Sequence, residues 1–86
     1  MTEKEILDYF LLLLADLYKS EKRGQCAPLM DRAREKGMPE ATARSMIANL
    51  KSEQAIQDVH IECFRFTDAG YNRYRERIEA LRALGS

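Results

Sequence analysis

The sequence predicts a mainly α-helical domain with a small β-hairpin, built as three helices, two short strands and a C-terminal helix. Three observations carry that expectation. Apolar residues recur at helical spacing in four separate segments. Between the third and fourth of them the pattern changes to partly alternating β-branched and aromatic residues, the signature of strands. Gly37 and Pro39 stand between the second and third segments, where a tight helix-to-helix turn would need them.

Thr2 and Glu5 open the chain with capping-box spacing ahead of an apolar run, so helix 1 is expected over about 3–20. From Ile6 to Tyr18 only Asp8 and Asp16 are charged, and Leu11 to Leu14 cover every direction around the axis. A helix apolar on all sides is buried on all sides. Part of that burial is therefore assigned either to the domain's own core or to a second copy of the chain, with Phe10, Leu13 and Leu14 as candidate dimer contacts. The polar stretch from Lys19 to Gln25, containing Gly24, reads as the first connection.

Cys26, Leu29, Met30 and Ala33 predict helix 2 over about 26–36, with Pro28 in its first turn and Gly37 as its left-handed stop. Helix 3 follows over about 39–53, with Pro39 at its first position. Ala43, Met46, Ile47 and Leu50 form its inner face. Its outer face carries Ala41, Ser45, Ala48 and Ser52, flanked by Thr42, Arg44, Asn49 and Lys51. Small hydrogen-bonding side chains of this kind allow close approach to another surface.

Strands are expected over about 55–60 and 62–67, with Phe64 and Phe66 turned to the core and the turn between Asp58 and Glu62. Thr67 or Asp68 then caps a last helix over about 68–84, whose stripe is Tyr71, Tyr74, Ile78, Leu81 and Leu84. Ile78, Leu81 and Leu84 complete the candidate dimer contacts. Arg73, Arg75, Arg77 and Arg82 read as a solvated face with i to i+4 pairs.

Eighty-six residues accommodate one core, so residues 1–86 are read as a single domain. With 45% hydrophobic and 33% charged residues the chain should fold rather than remain disordered. Fourteen basic and fourteen acidic residues cancel, which removes a domain-wide basic excess as an argument for nucleic acid. Their distribution is graded, however. Residues 1–21 hold two bases against five acids, and residues 22–54 hold seven bases against four acids. The middle third is the anion-facing candidate.

Cys26 and Cys63 lack CxxC spacing and a histidine-rich neighbourhood, so they read as free buried thiols, with neither a metal site nor a redox pair. The longest uncharged run of helix 1, Tyr9–Ala15, is seven residues, against roughly 20 for a membrane span. No membrane association is expected. No secretory leader is recognisable, so the cytoplasm is the expected compartment. No base–nucleophile pair or paired-carboxylate constellation is recognisable, and the chain reads as a non-enzyme without cofactor.

Two stretches carry a resemblance to a known family. The run from Met38 to Ile56 (MPEATARSMIANLKSEQAI) resembles a recognition helix leading into a first wing strand. Phe64 to Tyr74 (FRFTDAGYNRY) resembles the close of the wing in MarR-like and PadR-like bacterial transcriptional regulators. The chain is thus similar to a winged helix-turn-helix over nearly its whole length. It departs from that pattern in having Met38 where a Ser or Thr cap is usual, a carboxylate at Glu40, and a short wing with few bases.

The resemblance implies a cytoplasmic bacterial or phage DNA-binding regulator of transcription, acting as a homodimer with helix 3 in the major groove of double-stranded DNA. Thr42, Arg44, Ser45 and Asn49 would face base edges, and Lys36, Lys51, His60 and Arg65 would contact phosphates. Winged helices also serve as protein-interaction modules, so an assembly module that docks on a protein partner and does not bind DNA stands as the alternative.

Overall fold

The computed structural model describes residues 2–19 and 25–85. The described residues form four helices, α1 (Glu3–Tyr18), α2 (Leu29–Glu35), α3 (Glu40–Ser52) and α4 (Asp68–Leu84), and a two-stranded antiparallel hairpin, β1 (Ile56–His60) and β2 (Cys63–Phe66), that lies between α3 and α4 in the chain. The expected end of helix 1 near residue 20, and Gly24 in the first connection, lie outside the described residues.

Helix α1 begins as the Thr2/Glu5 pattern predicts. The Glu5 amide donates to Thr2 Oγ1 at 3.2 Å and the Thr2 amide donates to Glu5 Oε1 at 3.4 Å, so each side chain satisfies a donor the helix leaves open. Ile6, Phe10, Leu11, Leu14 and Ala15 are completely buried, and Leu7, Tyr9, Leu13, Leu17 and Tyr18 pack partly buried against the same core. The all-round apolar character of α1 is therefore consumed mostly within the chain. Phe10, Leu14 and Ile78, expected as dimer contacts, are 0%, 0% and 1% exposed and have no surface to offer a second copy.

The start of α2 also departs from expectation, by three residues. Cys26 and Ala27 run alongside the hairpin instead of coiling: the Ala27 amide donates to the Phe64 carbonyl at 2.6 Å and the Phe64 amide donates back at 2.9 Å. Hydrogen bonds to β2 thus replace the first helical turn, and Pro28 becomes the N-cap. That pairing places Cys26 beside Cys63, with Cα atoms 5.3 Å apart, and the two are joined in a disulfide. The expected free buried thiols are corrected accordingly. Both cysteines are only half-buried.

The turn between α2 and α3 is the expected one. Gly37 has φ 72°, its amide donates to the Arg34 carbonyl, and the Met38 amide reaches the Ala33 carbonyl. This is the Schellman arrangement, and Met38 and Ala33, the two residues joined by its longer hydrogen bond, are both buried in the core. Pro39 serves as N-cap of α3 and not as its first residue. The end of α3 repeats the same hydrogen bonds, from Gln54 to Lys51 and from Ala55 to Leu50, but with Gln54 at φ 59° where glycine would be unstrained. Gln54→Gly should accordingly raise stability by about 0.5–1 kcal/mol, less the extra freedom it gives the unfolded chain. An unchanged or lower denaturant midpoint would refute this.

The hairpin pairs Ile56 with Phe66 and Asp58 with Phe64, then slips so that His60 faces Cys63. Val59 is the extra residue of this bulge. Glu62, at φ 55°, closes the turn. Phe64 and Phe66 point inward as expected, 5% and 2% exposed.

Thr67 then welds the hairpin to the end of α3 and the start of α4. Its hydroxyl donates to the Gln54 carbonyl at 2.6 Å and accepts from the Gly70 amide at 2.9 Å, while its own amide donates to the Ala55 carbonyl. Gly70 passes so close that a Cβ there would lie 2.0 Å from the Ala55 carbonyl oxygen.

Helix α4 is tied to the rest of the chain by longer connections than i to i+4 pairs. Arg77 donates twice to Asp8, at 3.0 and 2.6 Å, and Arg82 reaches Asp16 at 3.1 Å. Arg73 pairs with Glu53 at 3.3 Å. The expectation that these arginines form a self-paired solvated face is corrected for all three: Arg77 and Arg82 find the acids of α1, and Arg73 finds Glu53 at the end of α3. At the other end Tyr18 stacks on Tyr71, centroids 4.3 Å apart, with Phe66 edge-on to both. The hydrogen bond from the Tyr18 hydroxyl to Asp68, 2.6 Å long, holds that phenol above its ordinary pKa. Among the described residues no helix is long and apolar enough to cross a membrane.

Candidate nucleic-acid interface

Helix α3 divides cleanly into two faces. Ala43, Ile47 and Leu50 are buried at 0%, 6% and 1%, anchoring the helix against the core. Ala41, Arg44, Ser45, Ala48, Asn49 and Ser52 are exposed, with Thr42 and Met46 at the borders. The division follows from the i, i+3, i+4, i+7 spacing of the inner residues, which turns the small residues outward together.

Thr42, Ser45 and Asn49, three of the four expected base-edge residues, line one shallow depression of about 200 Å³, joined there by Glu3 from the start of α1. Ser52 donates back to the Asn49 backbone carbonyl at 2.8 Å, and Asn49 is exposed. Arg44 faces a different concavity. It and Lys51 stand on the α3 side of a cleft of about 270 Å³ whose opposite wall is the hairpin, contributing Asp58 and Glu62, and whose floor includes Ile47 and Phe64.

Both bases meet carboxylates across that cleft. Arg44 Nη1 donates to Glu62 at 3.2 Å, while its Nε and Nη2 donate to one oxygen of Glu40, at 3.3 and 3.1 Å. Arg34 adds a second cation to Glu40 at 3.3 Å. The hydrogen bonds from Arg44 and then Arg34 hold the Glu40 carboxyl below the usual carboxylate range, and those to Glu40 and Glu62 hold Arg44 above the ordinary arginine value. Lys51 pairs with Asp58 at 3.1 Å and lies 5.8 Å from the centre of the Phe64 ring.

The remaining expected phosphate contacts are not gathered here. Lys36 caps the end of α2 with its ammonium 5.4 Å from the centre of the Tyr9 ring. His60 is exposed at the end of β1, and Arg65 is half-buried on β2 opposite Gln57. None of the three lines the cleft. The residues sequence reasoning missed are the acids of the hairpin, Asp58 and Glu62. The Glu40–Arg44 pair has a visible signal in its i, i+4 spacing.

Among the described residues, four helices and a two-stranded hairpin that present one helix face beside a charged cleft are the class these features define. Comparison of the chain with protein families, with characterised proteins and with solved structures finds no match.

Proposed function

We propose that the chain is a winged-helix DNA-binding domain of a transcriptional regulator, with α3 as recognition helix and the hairpin as wing. The observation that carries this reading is the outer face of α3. It is exposed from Ala41 to Ser52 and built from alanines, serines and an asparagine, with Arg44 and Lys51 at its edge. A helix so narrow on one side can enter a major groove, and Arg and Asn offer bidentate donors and acceptors to guanine and adenine there.

A homodimer belongs to the same proposal. Leu84 is 81% exposed, and Leu13 and Leu81 are only half-buried, so these three remain the candidate contacts. A two-fold pair would address half-sites about one helical turn, roughly 34 Å, apart.

The expected result is duplex DNA binding that weakens steeply with salt. Arg44→Ala should cost about 1–3 kcal/mol and relax selectivity at one position, whereas Lys51→Ala should weaken all sequences alike and lower the salt slope by about one. Selected-site binding with full affinity and selectivity in the Arg44 variant would remove α3 from this role.

A second reading, a protein-assembly module, is favoured by the acids around Arg44 and by Ile61, 97% exposed at the hairpin turn. Self-association or a protein complex without salt-dependent DNA binding would establish it in place of the first.

A further inference from the structure

We infer that the hairpin carries its own competitor for DNA: Asp58 and Glu62 occupy Lys51 and Arg44 in the free protein, and DNA must displace them, with a phosphate at Lys51 and a base edge at Arg44. The inference rests on the DNA-binding reading and specifies how that surface is regulated. The two bases stand seven residues apart on α3, two helical turns, and so share one wall of the cleft. Each is met from the hairpin by a carboxylate oxygen at 3.1 or 3.2 Å, hydrogen-bond distance, where an acceptor on DNA would otherwise sit.

The acids are held to this task by the backbone. Asp58 is the last regular partner of Phe64 before the bulge, which fixes its position along β1. Glu62 occupies the left-handed turn position that directs the chain into β2. Since β2 is tied through Phe64 to Ala27 and through Cys63 to Cys26, the wall bearing the acids is tethered to the domain on its far side. All four side chains are about half exposed, so an incoming polyanion can reach and exchange with them. Pairs this exposed are individually weak. Two of them release together, and after release two unpaired carboxylates face the DNA backbone.

The double variant Asp58→Asn/Glu62→Gln keeps side-chain size and polarity while removing both negative charges. In titrations with a random-sequence duplex at about 0.1 M salt, it should bind roughly tenfold more tightly than the native chain. Glu76→Gln/Glu79→Gln makes the same change in net charge on the exposed face of α4. Exposed charges more than about 10 Å from the DNA are largely screened at that ionic strength, so this control should gain less than about threefold. In an Arg44→Ala/Lys51→Ala background the gain from Asp58→Asn/Glu62→Gln should shrink to the level of the control, because no clamped base remains to be freed.

Native binding with equal gains in the hairpin and α4 variants overturns the competitor while leaving the DNA-binding reading in place. A hairpin gain that persists without the two bases does the same. Absence of salt-dependent binding by both the native chain and the neutralised hairpin variant overturns the DNA-binding reading, and the competitor with it.

Discussion

Gly70→Ala is expected to cost more than about 3 kcal/mol, enough to leave a domain of this size largely unfolded at ambient temperature. The added Cβ would lie 2.0 Å from the Ala55 carbonyl oxygen and 2.6 Å from the carbon behind it. Both are backbone atoms, so no rotamer change relieves the overlap. Withdrawing α4 instead would break the hydrogen bond from the Gly70 amide to Thr67 and, beyond it, the bond from Thr67 to Gln54. The junction of α3, hairpin and α4 would open as a unit. Gly85→Ala is the matched control, since its Cβ would meet nothing closer than 3.7 Å and should shift stability by no more than about 0.5 kcal/mol. Circular dichroism melts of the two variants decide the matter; a Gly70 variant as stable as the Gly85 variant refutes the close approach.

Opening the disulfide should be the other large loss. Cys26 and Cys63 are 37 residues apart, and a cross-link over a loop of that length restricts the unfolded chain by about 3–4 kcal/mol. Reduction with a dithiol should lower the melting midpoint by more than about 10 °C. Cys26→Ser/Cys63→Ser should melt low with or without reductant. The backbone bonds between Ala27 and Phe64 do not depend on the bridge, so the reduced chain should retain its helical spectrum below the lowered midpoint. Two reactive thiols in the unfolded, unreduced protein would refute the pairing. Bridges of this kind persist in oxidising surroundings and open where glutathione keeps thiols reduced.

What the sequence revealed and what it concealed divide along physical lines. The Thr2–Glu5 box, the stop at Gly37, the inward Phe64 and Phe66 and the cap at Thr67 are local devices, each spanning a few residues, and each is visible in the order of side chains. The disulfide was hidden because the contact that creates it is a backbone pairing of Ala27 with Phe64, to which side-chain pattern is indifferent. The same holds for the partition of α1. Four consecutive leucines announce burial without saying against what, and only the packing of the other elements around α1 assigns Leu11 and Leu14 to the core while leaving Leu13 partly outside. Gln54 ends α3 in a left-handed conformation that a glycine would have announced.

For the candidate site, the outward set Thr42, Arg44, Ser45 and Asn49 followed from the period of α3. The opposition of Asp58 and Glu62 to Lys51 and Arg44 depends on a hairpin register that no Asn-Gly or similar turn marks, and it emerges only in three dimensions.

The face-to-face tyrosines have a practical corollary. The protein contains four tyrosines and no tryptophan, so its near-ultraviolet optics are dominated by phenol rings, with weaker contributions from the phenylalanines and the disulfide. One ring of the stack comes from the first helix and the other from the last, with fifty-odd residues between them. Any event that pulls the chain's beginning away from its end therefore separates two chromophores in van der Waals contact. The molecule needs no added label for its folding, or its opening, to be followed.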